Sequence, residues 1–315
     1  METKTLYILA PCYNEEEVLP LTSKIFLDKL NSLIDAGKIS ENSRVAFVDD
    51  GSKDKTWEII ESLHELDPKF VGVKLSRNRG HQNALLGGMS TIVDDCDMIV
   101  TIDADAQDDV NAIDKMVDDF NNGIDIVYGV RDSRETDTFF KRTTAQGFYK
   151  FMSMMGVETI YNHADFRLMS SRAVNALLEF KEVNLFLRGM VPLVGFKSST
   201  VTYDRAPRLA GESKYPLKKM LTFAFDGITS FSVKPIRFIT ALGAVTFLLS
   251  IIFALYALIS YFVHKTAPGW TSTVLSIWFF GSLQLIAIGV VGEYIGKIYL
   301  ESKQRPRFFI EKYLK

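Results

Sequence analysis

Between residues 5 and 129 the chain alternates short apolar runs with stretches whose apolar positions recur every three or four residues. The runs TLYILAP (5–11), SRVAFVD (43–49), 70–75, DMIVTID (97–103) and IDIVYG (124–129) predict strands. The stretches between them, 14–35, 54–66, 80–93 and 110–122, predict helices. Strands that alternate with helices pair through crossovers, so this order predicts a layered α/β domain whose sheet is mixed and mostly parallel. Asn14, Asp54 and Asn78 stand near the helix starts as candidate caps. Past residue 130 the pattern loosens into a helix at 137–155, a short strand at 165–169, a helix at 171–180 and a strand near 196–203, which reads as a substrate-facing lobe. Residues 205–214, RAPRLAGESK, have the Gly, Pro and charge content of a mobile loop.

A different pattern follows. In 215–237, Leu217, Leu221, Phe225 and Ile228 recur at helical spacing beside Lys218 and Lys219, as in an amphipathic helix lying at a membrane interface. Residues 238–263 and 266–292 then carry no Asp, Glu, Lys, Arg or His. A helix needs about 20 apolar residues to cross hydrocarbon, so two transmembrane helices are expected. Lys234 and Arg237 precede the first, Lys297, Lys303, Arg305 and Arg307 follow the second, and the connecting loop holds only Lys265. By the positive-inside rule the 1–214 domain, the basic tail 293–315 and both termini face the cytosol. The N-terminus runs quickly into acidic residues and does not read as a cleaved secretory signal.

Charge sharpens this division. The chain of 315 residues carries 36 Lys+Arg against 38 Asp+Glu, a net charge of −2, and no global basic field that would recruit nucleic acid. The first 213 residues hold 24 basic against 34 acidic side chains, whereas 214–315 hold 12 against 4. The basic end is the membrane end. Cys12 and Cys96 alone make neither a disulfide framework nor a zinc spacing, as suits a reduced cytosolic domain.

The sharpest chemical feature is Asp103-Ala-Asp105-Ala-Gln107, directly after the apolar run MIVTI. A parallel strand that ends in carboxylates presents them in the crevice where open α/β sheets bind ligands. Two carboxylates and an amide oxygen suit Mg²⁺ or Mn²⁺, with diphosphate oxygens completing the shell. An EF-hand loop shares this start, but Asp108 stands where that loop needs its glycine and Asp114 where it needs its glutamate. A second pair, Asp49-Asp50, and a third strand end, from Ala10 through Pro11, Tyr13 and Glu15 to Glu16, reach the same edge. The latter offers a ring to stack on a base and an acid to accept a hydrogen bond. No Gly-x-Gly-x-x-Gly or Walker A loop follows any strand, and neither His-Glu-x-x-His nor Gly-x-Ser-x-Gly occurs. Dinucleotide oxidoreductases, P-loop NTPases and zinc or serine hydrolases are therefore disfavoured. Of the four histidines only His81 sits near the proposed site.

The ordered set Ala-Pro-Cys-Tyr-Asn-Glu (10–15), Val-Asp-Asp-Gly-Ser-Lys-Asp-Lys-Thr (48–56), Ser-Arg-Asn-Arg-Gly (76–80) and Asp-Ala-Asp-Ala-Gln (103–107) resembles glycosyltransferase family 2. Gly-Val-Arg-Asp-Ser-Arg (129–134), Asp165-Phe166-Arg167 and Gly-Glu-Ser-Lys-Tyr (211–215), followed by two spans, narrow the resemblance to its polyprenyl-phosphate glycosyltransferases, similar to dolichol-phosphate mannose synthase and the bactoprenol glucosyltransferases. The resemblance covers essentially the whole chain. It implies a GT-A fold and inverting transfer of one sugar from a nucleotide-sugar to a polyprenyl phosphate, here with UDP-glucose or UDP-N-acetylglucosamine as donor and undecaprenyl phosphate as acceptor. It implies that Pro11, Tyr13, Glu15 and Asp50 line the nucleoside pocket, and that Asp103, Asp105 and Gln107 hold metal and diphosphate. Arg131 and Arg142 would receive the lipid phosphate, Lys214 would close over the phosphates, and Asp165 would accept a proton or steer the nucleophile, or else merely pair with Arg167. A flippase and a downstream transferase are the partners implied beyond the bilayer. Gly292 and Gly296 form a Gly-x-x-x-Gly that suits either a homo-oligomer or packing against the first span. A processive polysaccharide synthase fits less well, because no Gln-x-x-Arg-Trp segment occurs. A catalytically silent membrane scaffold or flippase accessory would not need the intact acidic motifs.

Overall fold

The computed structural model describes residues 3–131, 163–183, 185–204 and 269–315, together with scattered positions between 236 and 259. The strands are β1 (Leu6–Cys12), β2 (Arg44–Asp49), β3 (Phe70–Leu75), β4 (Met98–Thr101), β5 (Ile126–Arg131), β6 (His163–Ser170), β7 (Ser198–Tyr203) and β8 (Ile310–Leu314). The helices are α1 (Leu19–Asp35), α2 (Thr56–Leu66), α3 (His81–Ile92), α4 (Ala112–Asn121), α5 (Ser171–Leu178), α6 (Leu187–Leu193) and α7 (Trp270–Lys303).

All eight strands join one sheet in the order β7-β5-β6-β4-β1-β2-β3-β8. The pairings β1–β2, β1–β4, β2–β3 and β5–β7 are parallel, and β3–β8, β4–β6 and β5–β6 are antiparallel, so the expected mixed, mostly parallel sheet is present. Strand β1 lies in its middle and reads as an unbroken apolar run because both of its faces are covered. Leu6, Ile8 and Ala10 meet Phe26 and Leu30 of α1, Ile60 of α2 and Ile113 and Met116 of α4. Tyr7 and Leu9 face the opposite layer, with Leu85 and Met89 of α3, Val174 of α5 and Met190 of α6. Helix α3 approaches so closely that a Cβ on Gly88 would stand 2.5 Å from a Val48 methyl.

The candidate caps are used unevenly. Helix α1 starts only at Leu19, with Pro20 in its first turn, and α3 is preceded by Gly80 at φ 86°. Asn14, itself at φ 54°, accepts instead from the Lys53 amide (2.9 Å), which laces the loop after β1 to the loop after β2. Asp54 accepts from the amide and hydroxyl of Thr56. Burial pushes the Cys96 thiol up to about 12 and raises that of Cys12, so neither is an activated nucleophile.

Among the described residues one helix is long and apolar enough to cross a membrane, the 25-residue Phe279–Lys303 part of α7. Helix α7 begins at Trp270 and runs on past residue 292 to Lys303. Glu293, Lys297 and Glu301 end the apolar run, but at i, i+4 spacing they favour continued helix. Leu285, Ile286, Ile288 and Ile295 along it are exposed, as lipid-facing side chains would be. The interfacial segment 215–237 lies almost wholly outside the described residues. Of 238–263 only scattered positions are described, all helical, so a second span stays an expectation. The tail does not stay apart: residues 310–314 form β8 and cover the edge of β3. Lys312–Glu61 (2.7 Å) and Lys74–Glu311 (3.0 Å) secure that strand.

Candidate active site

The parallel strands β1, β2 and β4 end on one edge of the sheet, and the start of antiparallel β6 lies beside the end of β4. Thr101 of β4 pairs with Arg167 of β6, so continuing the register sets Asp103 opposite Asp165. The Thr101 hydroxyl donates to the Asp165 carbonyl (2.5 Å) and fixes that turn of backbone. Asp103 and Asp165, 62 residues apart in sequence, share a third group between them. That group is His81, the first residue of α3, whose Nε2 lies 3.8 Å from Asp103 Oδ1 and 3.6 Å from Asp165 Oδ2.

Asp165 also faces two guanidiniums. Arg167 Nη2 donates to Oδ1 (2.7 Å), and Arg188 of α6 donates through Nε to Oδ1 (3.3 Å) and through Nη2 to Oδ2 (3.1 Å). Burial alone would raise the Asp165 carboxyl, but Arg188, His81 and Arg167 hold it well below the usual carboxylate range. The expected pairing with Arg167 is therefore present, and Arg188 adds to it. Arg188 escaped the sequence reading, because LFLRGMV is an apolar run around one arginine and only the packing of α6 brings that side chain in. Burial lowers His81, yet its bond to Asp165 and the charges of Asp103 and Asp165 raise it overall.

Asp103 has the opposite surroundings. Burial and the neighbouring charges of Asp108, Asp165 and Asp105 raise its carboxyl, with only His81 working against them. Asp105 accepts from the Gln107 amide (3.2 Å) across Ala106, which is held at φ 49°, and Gln107 is buried immediately beyond. Among the described residues no group of three or more His, Cys, Asp and Glu forms a complete metal cage. The donor set nonetheless fits a divalent cation: crowded carboxylate oxygens carry excess negative charge that such an ion neutralises, and phosphate oxygens can fill the remaining positions.

At the end of β2, Asp50 is buried and brackets the next loop, accepting from the amides of Arg79 (2.7 Å) and Gly80 (2.8 Å). Burial raises its carboxyl despite these bonds. Gly51 beside it is at φ 65°, and a Cβ there would stand 2.5 Å from backbone atoms of Arg77 and Asn78. On β1 and its loop, Pro11 is half-buried, Tyr13 is exposed, and the Glu15 amide donates to Thr56 Oγ1 (2.9 Å). Arg131, the last residue of β5, lies 3.6 Å from the buried Asp108, and its Nε donates to Tyr203 Oη (3.3 Å), which in turn donates to Asp108 (2.6 Å). Arg142 and Lys214 lie outside the described residues.

The carboxylates stand at the C-terminal edge of an open α/β sheet, where such sheets bind their ligands. The glycosyl transferase family 2 model matches residues 7–178, and the chain belongs to that family. An uncharacterized glycosyltransferase of Bacillus subtilis (strain 168), YkoT, is 52% identical over 306 residues, covering 97% of this chain and 91% of the relative. The bactoprenol glucosyl transferase of Shigella phage SfX is 37% identical over 306 residues, covering 96% and 98%. Among solved structures, the mannosyltransferase PcManGT from Pyrobaculum calidifontis in complex with GDP-Man and Mn²⁺ aligns with a TM-score of 0.43 and 16% identity, over 94% of this chain and 88% of that one.

Proposed function

We propose that this family 2 glycosyltransferase moves a single sugar from a nucleotide-sugar, UDP-glucose or UDP-N-acetylglucosamine, to undecaprenyl or another polyprenyl phosphate at the cytosolic face of the membrane. The observation that carries the reading is the Asp103–His81–Asp165–Arg188 cluster at the sheet edge, in a chain whose long apolar helix leads straight back into the same sheet. Full-length relatives named bactoprenol glucosyl transferase support the same acceptor. Because β7 and β8 belong to one sheet, the chain leaves and re-enters the same domain and therefore does so on one side of a membrane. A crossing by α7 then requires a second crossing in 205–269, where 238–263 is free of charged residues. The basic flanks favour the cytosol for the domain.

In this reading a phosphate oxygen of the lipid attacks the anomeric carbon from the face opposite the diphosphate. A carbon–oxygen bond to the acceptor forms, the bond to the donor diphosphate breaks, and the electron pair leaves on the nucleoside diphosphate, with inversion. A lipid phosphate whose second pKa is ~6 is largely ionised near neutral pH and needs no strong base. Asp165, held ionised far below neutrality, is poorly matched to general-base work. It serves instead to hold Arg188 and His81 on the phosphate side of the crevice. Pro11, Tyr13, Glu15 and Asp50 form the nucleoside side of the crevice, Arg131 and Arg142 receive the acceptor phosphate, and Lys214 covers the leaving group. Asp103, Asp105 and Gln107 would hold Mg²⁺ or Mn²⁺, which when bound offsets charge on the departing diphosphate.

Thermal unfolding of the full chain in detergent tests the donor half. A ligand at 100 times its Kd stabilises by about 2.7 kcal/mol, so UDP with Mn²⁺ is expected to raise the midpoint by about 5 °C. EDTA or Asp105→Ala should remove most of that rise. An equal rise with EDTA would contradict the metal assignment, and a larger rise with GDP the choice of base.

A further inference from the structure

Helix α7 ends in contact with the wall of the active site. Both oxygens of the Glu301 carboxylate, in its last turn, lie 2.9 Å from the Val183 amide. Just beyond, Arg307 Nη2 donates to the Phe180 carbonyl (2.9 Å), and the Phe309 carbonyl accepts from the Ser76 amide (3.0 Å). The strap from 301 to 309 thus holds two loops. One is 76–80, whose amides bracket Asp50. The other is 180–186, which leads into α6. At its end the Leu187 amide donates to Gln82 Oε1 (2.7 Å), and the next residue, Arg188, clasps Asp165. Gln82 itself follows His81. A tether four residues before the first residue of α6 therefore bears on where a seven-residue helix sets its arginine.

We infer that Glu301 is a positioning residue for sugar transfer: by accepting from Val183 it ties the end of the membrane helix to the loop that sets Arg188 on Asp165. The inference rests on the function proposed above and deepens it. It does not require Glu301 to touch substrate. The bond needs an acceptor oxygen at full reach, not a charge, and this separates it from a purely electrostatic effect on Arg307 or Glu182, whose carboxyl is raised by burial and by Glu301.

The test compares Glu301→Ala, Glu301→Asp and Glu301→Gln in the full chain by two readouts. Hydrogen exchange of peptides spanning 180–188 reads the tether without reference to activity. Lipid-linked product formation reads its consequence. Glu301→Ala is expected to speed exchange in 180–188 and to lower kcat by about tenfold, with KM for the donor nearly unchanged, since a small misplacement of a charged group costs rate more than ground-state binding. Glu301→Asp, a methylene short, should behave like the alanine variant, and also serves if that variant fails to fold. Glu301→Gln should restore both readouts. Wild-type exchange and kcat in Glu301→Asp, or a glutamine variant as impaired as alanine, would overturn the inference. If wild-type protein makes no lipid-linked product, the functional reading fails by itself. The exchange arm then still decides the tether, upheld by lost protection in the alanine variant and overturned by unchanged protection.

Discussion

Asp105 and Asp165 are both acidic and both stand at the sheet edge, yet they carry different loads. Asp105 is only half-buried on a short turn, whereas Asp165 balances the buried Arg167 and the half-exposed Arg188. Replacing Asp105 by alanine should therefore cut product formation about a hundredfold while leaving the unfolding midpoint close to wild type. Asp165→Asn removes the charge between two guanidiniums, which costs about 3 kcal/mol and lowers the midpoint by roughly 6 °C or more in addition to its effect on rate. Parallel assays of turnover and thermal unfolding check the pair; a stable Asp165→Asn would show that the arginines do not depend on it. At this scale the carboxylates were legible, because strand-ending acids follow apolar runs in the sequence itself. Arg188, Tyr203 and the Asp108–Arg131 contact were not, since they meet only after strands and helices distant in sequence have packed together.

Among elements, the corner between β6 and α5 shows how the sheet fixes the lobe behind the site. Ser170 caps α5, its Oγ accepting from the Ala173 amide (3.2 Å) and donating to Asp125 Oδ1 (2.9 Å) at the start of β5. Arg172 of α5 clasps the same carboxylate with two donors and holds it below the usual range. A carboxyl depressed in the folded state stabilises fully above its unfolded value of ~3.9 and loses that contribution as pH falls through its lower folded value. Asp125→Asn should accordingly lower the unfolding midpoint at pH 7, and the gap to wild type should close below about pH 4. A gap of constant size from pH 7 to pH 3 would assign the effect to packing. The positions of the first five strands and the first four helices could be read from periodicity, most clearly where a helix buries one face, as α4 does with Ala112, Ile113, Met116 and Val117. The caps could be read only in part: Asp54 bonds Thr56 at the start of α2, whereas Asn14 found its partner across the neighbouring loop. Strand β8 also escaped notice: its residues, IEKYL, are partly charged and become a strand only because the edge of β3 awaits one.

In the topology proposed above, the whole molecule would join its sheet to a bilayer at two points, through 205–269 and through α7. The return of the chain to β3 agrees with the expectation that both ends lie on one side of the membrane; hydropathy located the apolar stretches but extended neither α7 to Lys303 nor the tail into the sheet. Single cysteines at Lys265→Cys and Arg305→Cys probe this in intact cells. A membrane-impermeant maleimide should label the first directly and the second only after permeabilisation, and labelling of both only after permeabilisation would contradict a double crossing. The central claim concerns chemistry, and product mass tests it most directly. The full chain is incubated with undecaprenyl phosphate, Mn²⁺ or Mg²⁺, and separate UDP- and GDP-sugars, and the lipid is read by mass spectrometry. One added hexose or N-acetylhexosamine per lipid phosphate is expected, lost with EDTA and in Asp105→Ala; free sugar alone, or a growing polymer, would rule out single transfer to the lipid phosphate.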